Sequence, residues 1–464
     1  MSIGSKAIVM KSVNIPTISL FLSGIIILPI LLIIDVNLAL ISFVGLIFLL
    51  FLVVAPPFWL AVLLIVLIPF HSLITNLLGG YESSSRQLFA VWWEALIFIG
   101  LIRVLIRNSN RIKILKSNRW ILLFAGGLVV TYIISFIRLP SIPAGFSLNL
   151  ETRFIGILIF FMLIPLEQRQ INLLMKLMVL SVGIIALYGI FQYFWDYERL
   201  LHLLYYAPGV YTDASQRLYS FSLNSFEPAY GAMIGILIAL SFYSRYSAKW
   251  IYGPPMLILL ISCLILTYTR SAYLGLIVGV ATVLALDRRH LDRYFGFVSA
   301  GVVLICTILL FGGDFFPNSN FGKRLETIIS RKDPSSTAHE KRMKAAINII
   351  SENPSGIGLG EYGTVQARFE GGVEKAQYAE NWVLQVGVQA GLIGALAYIL
   401  LTFSILFSLA RKPRHNSKDN NCLRFTACGV FVAMTVAGIV IPVWDFLLPL
   451  VYTWTLIGMA LRYS

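Results

Sequence analysis

The chain is 464 residues long, 58% hydrophobic and only 12% charged, with a mean hydropathy of +0.82. Soluble domains carry roughly 25% charged residues, so a soluble globular protein is excluded. The net charge of +14 does not indicate a nucleic-acid partner, because the basic residues flank apolar runs instead of forming one basic surface.

In chain order, runs near bilayer thickness predict membrane spans at about 17–34, 37–54, 57–70, 88–106, 120–137, 153–166, 173–195, 226–243, 250–269, 271–286, 294–312, 381–409, 422–443 and 446–461. The first run is too long for a signal-peptide core and lacks a small-x-small cleavage site, so it is read as an uncleaved span. Pro56-Pro57 separates the second and third. Glu94 lies inside the fourth, where an acid is costly against lipid, and is expected to be a structural partner facing the bundle. LPSIPAGFSLNLET (139–152) is read as a short loop.

The expected fold is an all-α polytopic membrane protein of about 14 transmembrane helices with a long extracytoplasmic loop. It divides into an N-terminal bundle of seven spans (1–195), an outer loop (196–225), four spans (226–312), the long loop (313–380) and three closing spans (381–464). Lys and Arg concentrate on one side, in segments such as 103–119, 288–293 and 411–424. The short segments on the other side hold only Arg86, Arg138, Arg153, Arg199, Arg217 and Arg270. By the positive-inside rule both termini are cytoplasmic and the long loop faces outward. Cys263, Cys306, Cys422 and Cys428 have no ligand spacing, and the five histidines are scattered. Neither a metal site nor a disulfide framework is expected.

The outer side gathers the unusual residues. Arg270 interrupts an apolar stretch in TYTRSAYLG (267–275), and Arg217 precedes the span opening at Phe226-Glu227-Pro228. The bland reading of Arg270 is a turn-marking residue that reaches lipid headgroups. The functional reading is an anion site, since guanidinium presents a rigid fork to phosphate oxygens. Glu227 suits the positive end of its helix. In the long loop, Thr337-Ala-His339-Glu340 reads as a capping box opening an amphipathic helix that ends at Asn353-Pro354. That helix carries Lys341, Arg342 and Lys344 on its polar face and sits as a lid, in the interface or on its neighbours. GIGLGEYG (356–363), with Glu361, is glycine-rich but lacks the GK[ST] of a nucleotide loop. The polar pair Glu380-Asn381 opens the next span. Glu380 is either a general base, with its pKa raised by withdrawal from water, or a cap for the helix beginning at Asn381. His339 and Glu361 are the next candidates for the base.

RMKAAINIISENPSGIGLGEYG followed by ENWVLQVGVQAGLIGALAYILL resembles the shared signature of the O-antigen ligase and O-antigen polymerase (Wzy-type) membrane proteins. TRSAYLG and R-x-Y-S-F-S-L-N-S-F-E-P resemble that family's two arginine-bearing stretches, and the likeness covers about 217–400. It implies a GT-C-like, metal- and cofactor-independent glycosyltransferase of the bacterial cytoplasmic membrane. Such an enzyme passes a glycan from undecaprenyl pyrophosphate to an acceptor hydroxyl outside, among membrane lipids and with a chain-length regulator and a flippase as partners. Arg217 and Arg270 match the arginines that bind the donor's pyrophosphate. Ligases carry a histidine where this chain has Glu380, which favours a polymerase over a ligase. A polytopic transporter or a scaffold would share the span count. Transporters, however, bury their charges near the midplane, whereas here the charges crowd the outer end.

Overall fold

The computed structural model describes residues 54–79, 90–107, 111–195, 217–222, 224–243, 253–287, 334–369, 378–411 and 418–462. Among them the regular elements are all helical: α1 Pro57–Leu67, α2 His71–Gly79, α3 Trp92–Arg107, α4 Ile112–Ser117, α5 Arg119–Arg138, α6 Ile142–Leu163, α7 Gln168–Trp195, α8 Phe226–Tyr243, α9 Pro254–Leu266, α10 Arg270–Leu286, α11 Pro334–Glu352, α12 Thr364–Phe369, α13 Trp382–Ala410, α14 Lys418–Ala437 and α15 Leu447–Leu461. Short 3-10 turns occupy Ile68–Phe70 and Val443–Asp445.

Five segments are long and apolar enough to cross a membrane: Pro57–Thr75, Arg119–Arg138, Ile142–Leu163, Gln168–Phe194 and Trp382–Ala410. Four shorter apolar helices, Phe226–Phe242, Pro254–Leu266, Arg270–Leu286 and Leu447–Leu461, accompany them. The runs at 17–34 and 294–312, nearly all of 37–54, and loop residues 196–216 and 313–333 lie outside the described residues.

Two expectations are corrected. The stretch 139–152 is not a loop: from Ile142 it is the first half of α6. Ser141 accepts a hydrogen bond from Ala144 N at 3.1 Å, and Pro143 sits in the first turn. A capping serine and an early proline start a helix even when polar residues follow. Likewise α11 begins at Pro334, not at Thr337. Glu340 therefore pairs with Lys344 at 2.6 Å along the helix instead of closing a capping box.

The ends of the bundle are tied by polar side chains. At the end rich in Lys and Arg, Arg424 is 2% exposed. It donates to Ser408 O (2.8 Å), Leu409 O (3.1 Å) and Arg411 O, covering the last carbonyls of α13. Asn118 donates to Leu461 O (3.2 Å) and Arg462 to Leu166 O (3.2 Å). Basic and amide groups at helix C-termini satisfy carbonyls that have no intrahelical partner.

Antiparallel α10 and α14 touch through small residues. A Cβ on Gly275 would lie 2.8 Å from Ala433 O, and one on Gly279 would lie 2.9 Å from Gly429 O. Only small residues allow helices this close. That antiparallel register puts the start of α10 at the same end of the bundle as the last turn of α14.

At the opposite end α13 is broken. Gly391 has φ 79° and ψ −177°, and the turn that follows α11 fills the break. Ile357 N donates to Val388 O (2.8 Å), and Leu392 N donates to Pro354 O (2.9 Å). These bonds replace helical ones lost at the break. Beyond it, residues 392–410 extend about 28 Å at 1.5 Å per residue, close to the ~30 Å of a hydrocarbon core. The short piece 382–390 stands outside that length, at the end of the bundle opposite Arg424.

A Cβ on Gly391 would also meet Pro354 O and the Ser355 carbonyl carbon at 2.6 Å. We expect Gly391→Ala to cost on the order of 1–3 kcal/mol or more, through positive-φ strain plus this clash. Gly126, whose Cβ would meet nothing within 4 Å, should accept alanine without loss. Thermal unfolding of the two variants in detergent checks this.

Candidate active site

The end opposite Arg424 carries the candidate charged side chains, and there His339, Arg342 and Glu380 come together. Ala346 and Ile350 seat α11 on α13, with Ala346 fully buried and Ile350 facing Gly387. That seating turns His339 and Arg342 toward Glu380. Glu380 is 5% exposed. His339 Nδ1 lies 3.0 Å from its Oε2, and Arg342 Nη1 pairs with its Oε1.

Burial alone would push the Glu380 carboxyl up. The hydrogen bonds and charges of His339 and Arg342 outweigh it and hold the group below the ordinary carboxylate value. The expectation of a raised pKa is therefore reversed, because withdrawal from water comes with two specific partners. The capping alternative also fails. Asn381 is the cap: its Oδ1 accepts from Leu384 N at 3.0 Å, and its Nδ2 donates to Ile439 O at 3.0 Å. Tyr362 is pushed up to about 12 by burial and then by the Glu380 charge. Tyr378 is raised by burial, then by Asp445, with Arg342 opposing and Glu380 adding.

The two arginine stretches are also neighbours. Leu218 N donates to Leu266 O at 3.1 Å, which lays the Arg217 segment along the turn 267–269. Arg217 is half-buried, and its Nε is shut from solvent with no hydrogen-bond partner. Arg270 is exposed as the first residue of α10, whose N-cap Thr269 makes no side-chain cap bond. The Gly438 carbonyl accepts from Trp382 N at 2.9 Å, two residues after Glu380. Arg270 and Glu380 thus lie at the same end of the bundle.

Strain marks all three stretches. Among the described residues the non-glycine positions with positive φ are Ser220 (56°), Tyr268 (51°) and Glu380 (52°): the first closely follows Arg217, the second closely precedes Arg270, and the third is the carboxylate residue itself. Each is fixed by its side chain. Ser220 donates to Ile185 O (2.7 Å), Tyr268 bonds to Tyr193 (3.0 Å) and Glu380 binds α11. Such outliers persist only where the surroundings over-determine them, and they cluster at active sites.

Residues 255–399 match the family described as O-Antigen ligase. The segment is similar to the O-antigen ligase type. The match supports placing the chain with the O-antigen ligase and polymerase type of protein. It holds Arg270, His339, Arg342, Glu361, Glu380 and Asn381, while Arg217 and Glu227 precede it. No curated protein matches the chain.

Outside the ligase-type segment, Glu227 does more than suit its own helix. Asn224 caps α8, accepting from Phe226 N and Glu227 N. Glu227 Oε1 instead accepts from Leu447 N at 3.1 Å, at the start of α15. Its role is to join two helix N-termini. Glu361 is exposed on the glycine turn and makes no ion pair among the described residues. The structure does not bring it to Glu380.

The residues missed in the sequence lie in α6. Arg153, counted as an outer-loop arginine, is within the helix. It donates to Trp444 O and Asp445 O at 3.2 Å each and stands over the Trp93 ring. Glu151 is 4% exposed and accepts from Tyr132 OH at 3.3 Å. Asn149 donates to both Glu94 oxygens at 3.0 and 3.1 Å, so Glu94 has the structural partner expected of it. Gln389 of α13 donates to Tyr362 O at 3.2 Å and ties the glycine turn to this buried group. The signal that could have revealed the helix was Ser141-Ile-Pro143, a cap followed by an early proline.

Proposed function

We propose that the protein is a polysaccharide polymerase of the bacterial cytoplasmic membrane, with both termini inside. It transfers a glycan from undecaprenyl pyrophosphate to the sugar hydroxyl of a second lipid-linked repeat unit on the outer face. The observation that supports this reading is that three strained stretches lie at one end of the bundle. Two bear arginines suited to a diphosphate, and the third bears a carboxylate–histidine pair suited to proton transfer. Arg217 and Arg270, beside the open N-terminus of α10, bind the leaving diphosphate, where fixed positive groups stabilise the charge that develops as it departs.

The acceptor oxygen attacks the anomeric carbon, and the carbon–oxygen bond to the diphosphate breaks. The electron pair leaves with the lipid diphosphate. The acceptor proton goes to the Glu380–His339 pair. With Glu380 held in its charged form on Nδ1, the ring is oriented and Nε2 is the proton acceptor, the division of labour seen whenever a carboxylate fixes an imidazole. His339 is 30% exposed, whereas Glu380 is 7% exposed at its side chain, so the imidazole is the member that an acceptor can reach.

Transfer to a lipid-core acceptor by a ligase is the second reading, favoured by the likeness of residues 255–399 to the O-antigen ligase family. The residue at Glu380, where ligases carry histidine, favours the polymerase. Reconstitution with a lipid-linked oligosaccharide separates them. A polymerase yields a ladder of products from that substrate alone, and a ligase yields none until a distinct acceptor is added. Absence of transfer under both conditions overturns both readings.

A further inference from the structure

Arg342 spends one Nη on Glu380, yet its side chain is 49% exposed while that of Glu380 is 7% exposed. A guanidinium carries five N–H donors in a planar fork. The Glu380 bond uses one edge of that fork and leaves the rest turned toward solvent. The solvent it meets is at the end of the bundle that also carries Arg270. Arg342 is also carried by a helix whose C-terminal turn is pinned by backbone bonds into α13 and by Arg138 to Ser355 O at 2.9 Å. The guanidinium can therefore exchange partners by side-chain rotation with the helix in place.

We propose that Arg342 is a third ligand of the donor's diphosphate, parked on Glu380 until the donor arrives and then exchanging the carboxylate for phosphate oxygens. The exchange rests on the diphosphate-linked donor of the proposed function. It follows from charge and geometry. A diphosphate offers more negative charge and more acceptor oxygens to the fork than one carboxylate already shared with His339, and Arg binds phosphate bidentately. Once Arg342 has moved, Glu380 answers to His339 alone, so donor binding and readiness of the proton acceptor become linked. Glu380 is then a positioning residue whose charge competes with the donor for Arg342, and that competition has a sign no purely structural latch would produce.

The test is binding of undecaprenyl pyrophosphate in detergent micelles, followed by calorimetry on the full-length protein, with thermal unfolding recorded for each variant. Arg342→Gln should weaken binding roughly tenfold, and Arg342→Lys should weaken it less. Glu380→Gln, which frees Arg342 and removes a negative charge, should tighten binding several-fold, a gain that misfolding cannot mimic. The gain should vanish in the Arg342→Gln/Glu380→Gln double variant, because residues in contact are not additive. Wild-type affinity in Arg342→Gln, or a gain that survives in the double variant, overturns the proposal. Arg217→Gln and Arg270→Gln separate it from the reading it rests on. If these two weaken binding and Arg342→Gln does not, only the exchange fails. If the wild type does not bind the probe, or neither of these two matters, the diphosphate site and the exchange fall together.

Discussion

Arg217→Gln and Arg270→Gln are each expected to lower glycan transfer by about 10²-fold or more, the scale seen when one fixed group opposite a developing charge is removed. Arg217 keeps a buried Nε without a partner and lies along the turn that leads to Arg270 through the Leu218–Leu266 bond. Arg270 is exposed and Arg217 half-buried at the end of the bundle, so fold and insertion should survive the change to glutamine. Lysine at either position should rescue only in part, since an ammonium offers a point charge in place of a fork. The measurement is transfer from a labelled lipid-linked donor in proteoliposomes. Full activity in both glutamine variants would remove the diphosphate site from the molecule.

Glu380→Gln and His339→Ala should each reduce turnover by about 10²-fold or more, the contribution of positioned proton transfer. The double variant should be little worse than either single one, because groups that act as a unit are strongly non-additive. If the carboxylate takes the proton unaided, His339→Ala keeps most of its turnover and only Glu380→Gln collapses. The acid side of the stability profile gives a second readout. A carboxyl held below its ordinary value adds stability that is present above the unfolded-chain value of 4.5 and is lost as pH falls through the lower folded value. The wild type should therefore lose its stability advantage over Glu380→Gln below about pH 4.5, and a constant difference through that range would contradict the ion pairing.

The legible part of this protein was what depends on local composition. Apolar runs at bilayer length placed most of the described helices, because burying some twenty consecutive apolar side chains leaves a helix few alternatives. The order of the arginine stretches, the glycine turn and Glu380-Asn381 pointed to the family type that the match over 255–399 supports. Local patterning misjudged α6, where Asn149, Glu151 and Arg153 look like loop residues. Tyr132, Glu94, Trp444 and Asp445, distant in the chain, supply the partners that make a polar helix tolerable there. It also misjudged the charge state of Glu380. Position alone suggested a carboxyl raised by burial, whereas α11 brings His339 and Arg342 from some forty residues upstream. A pKa depends on every charge within a few ångströms, and which charges those are is decided by packing. For the same reason only the tertiary structure assigned the cap to Asn381, gave Glu227 to the start of α15, and opened α13 at Gly391 to receive the turn that seats the candidate site.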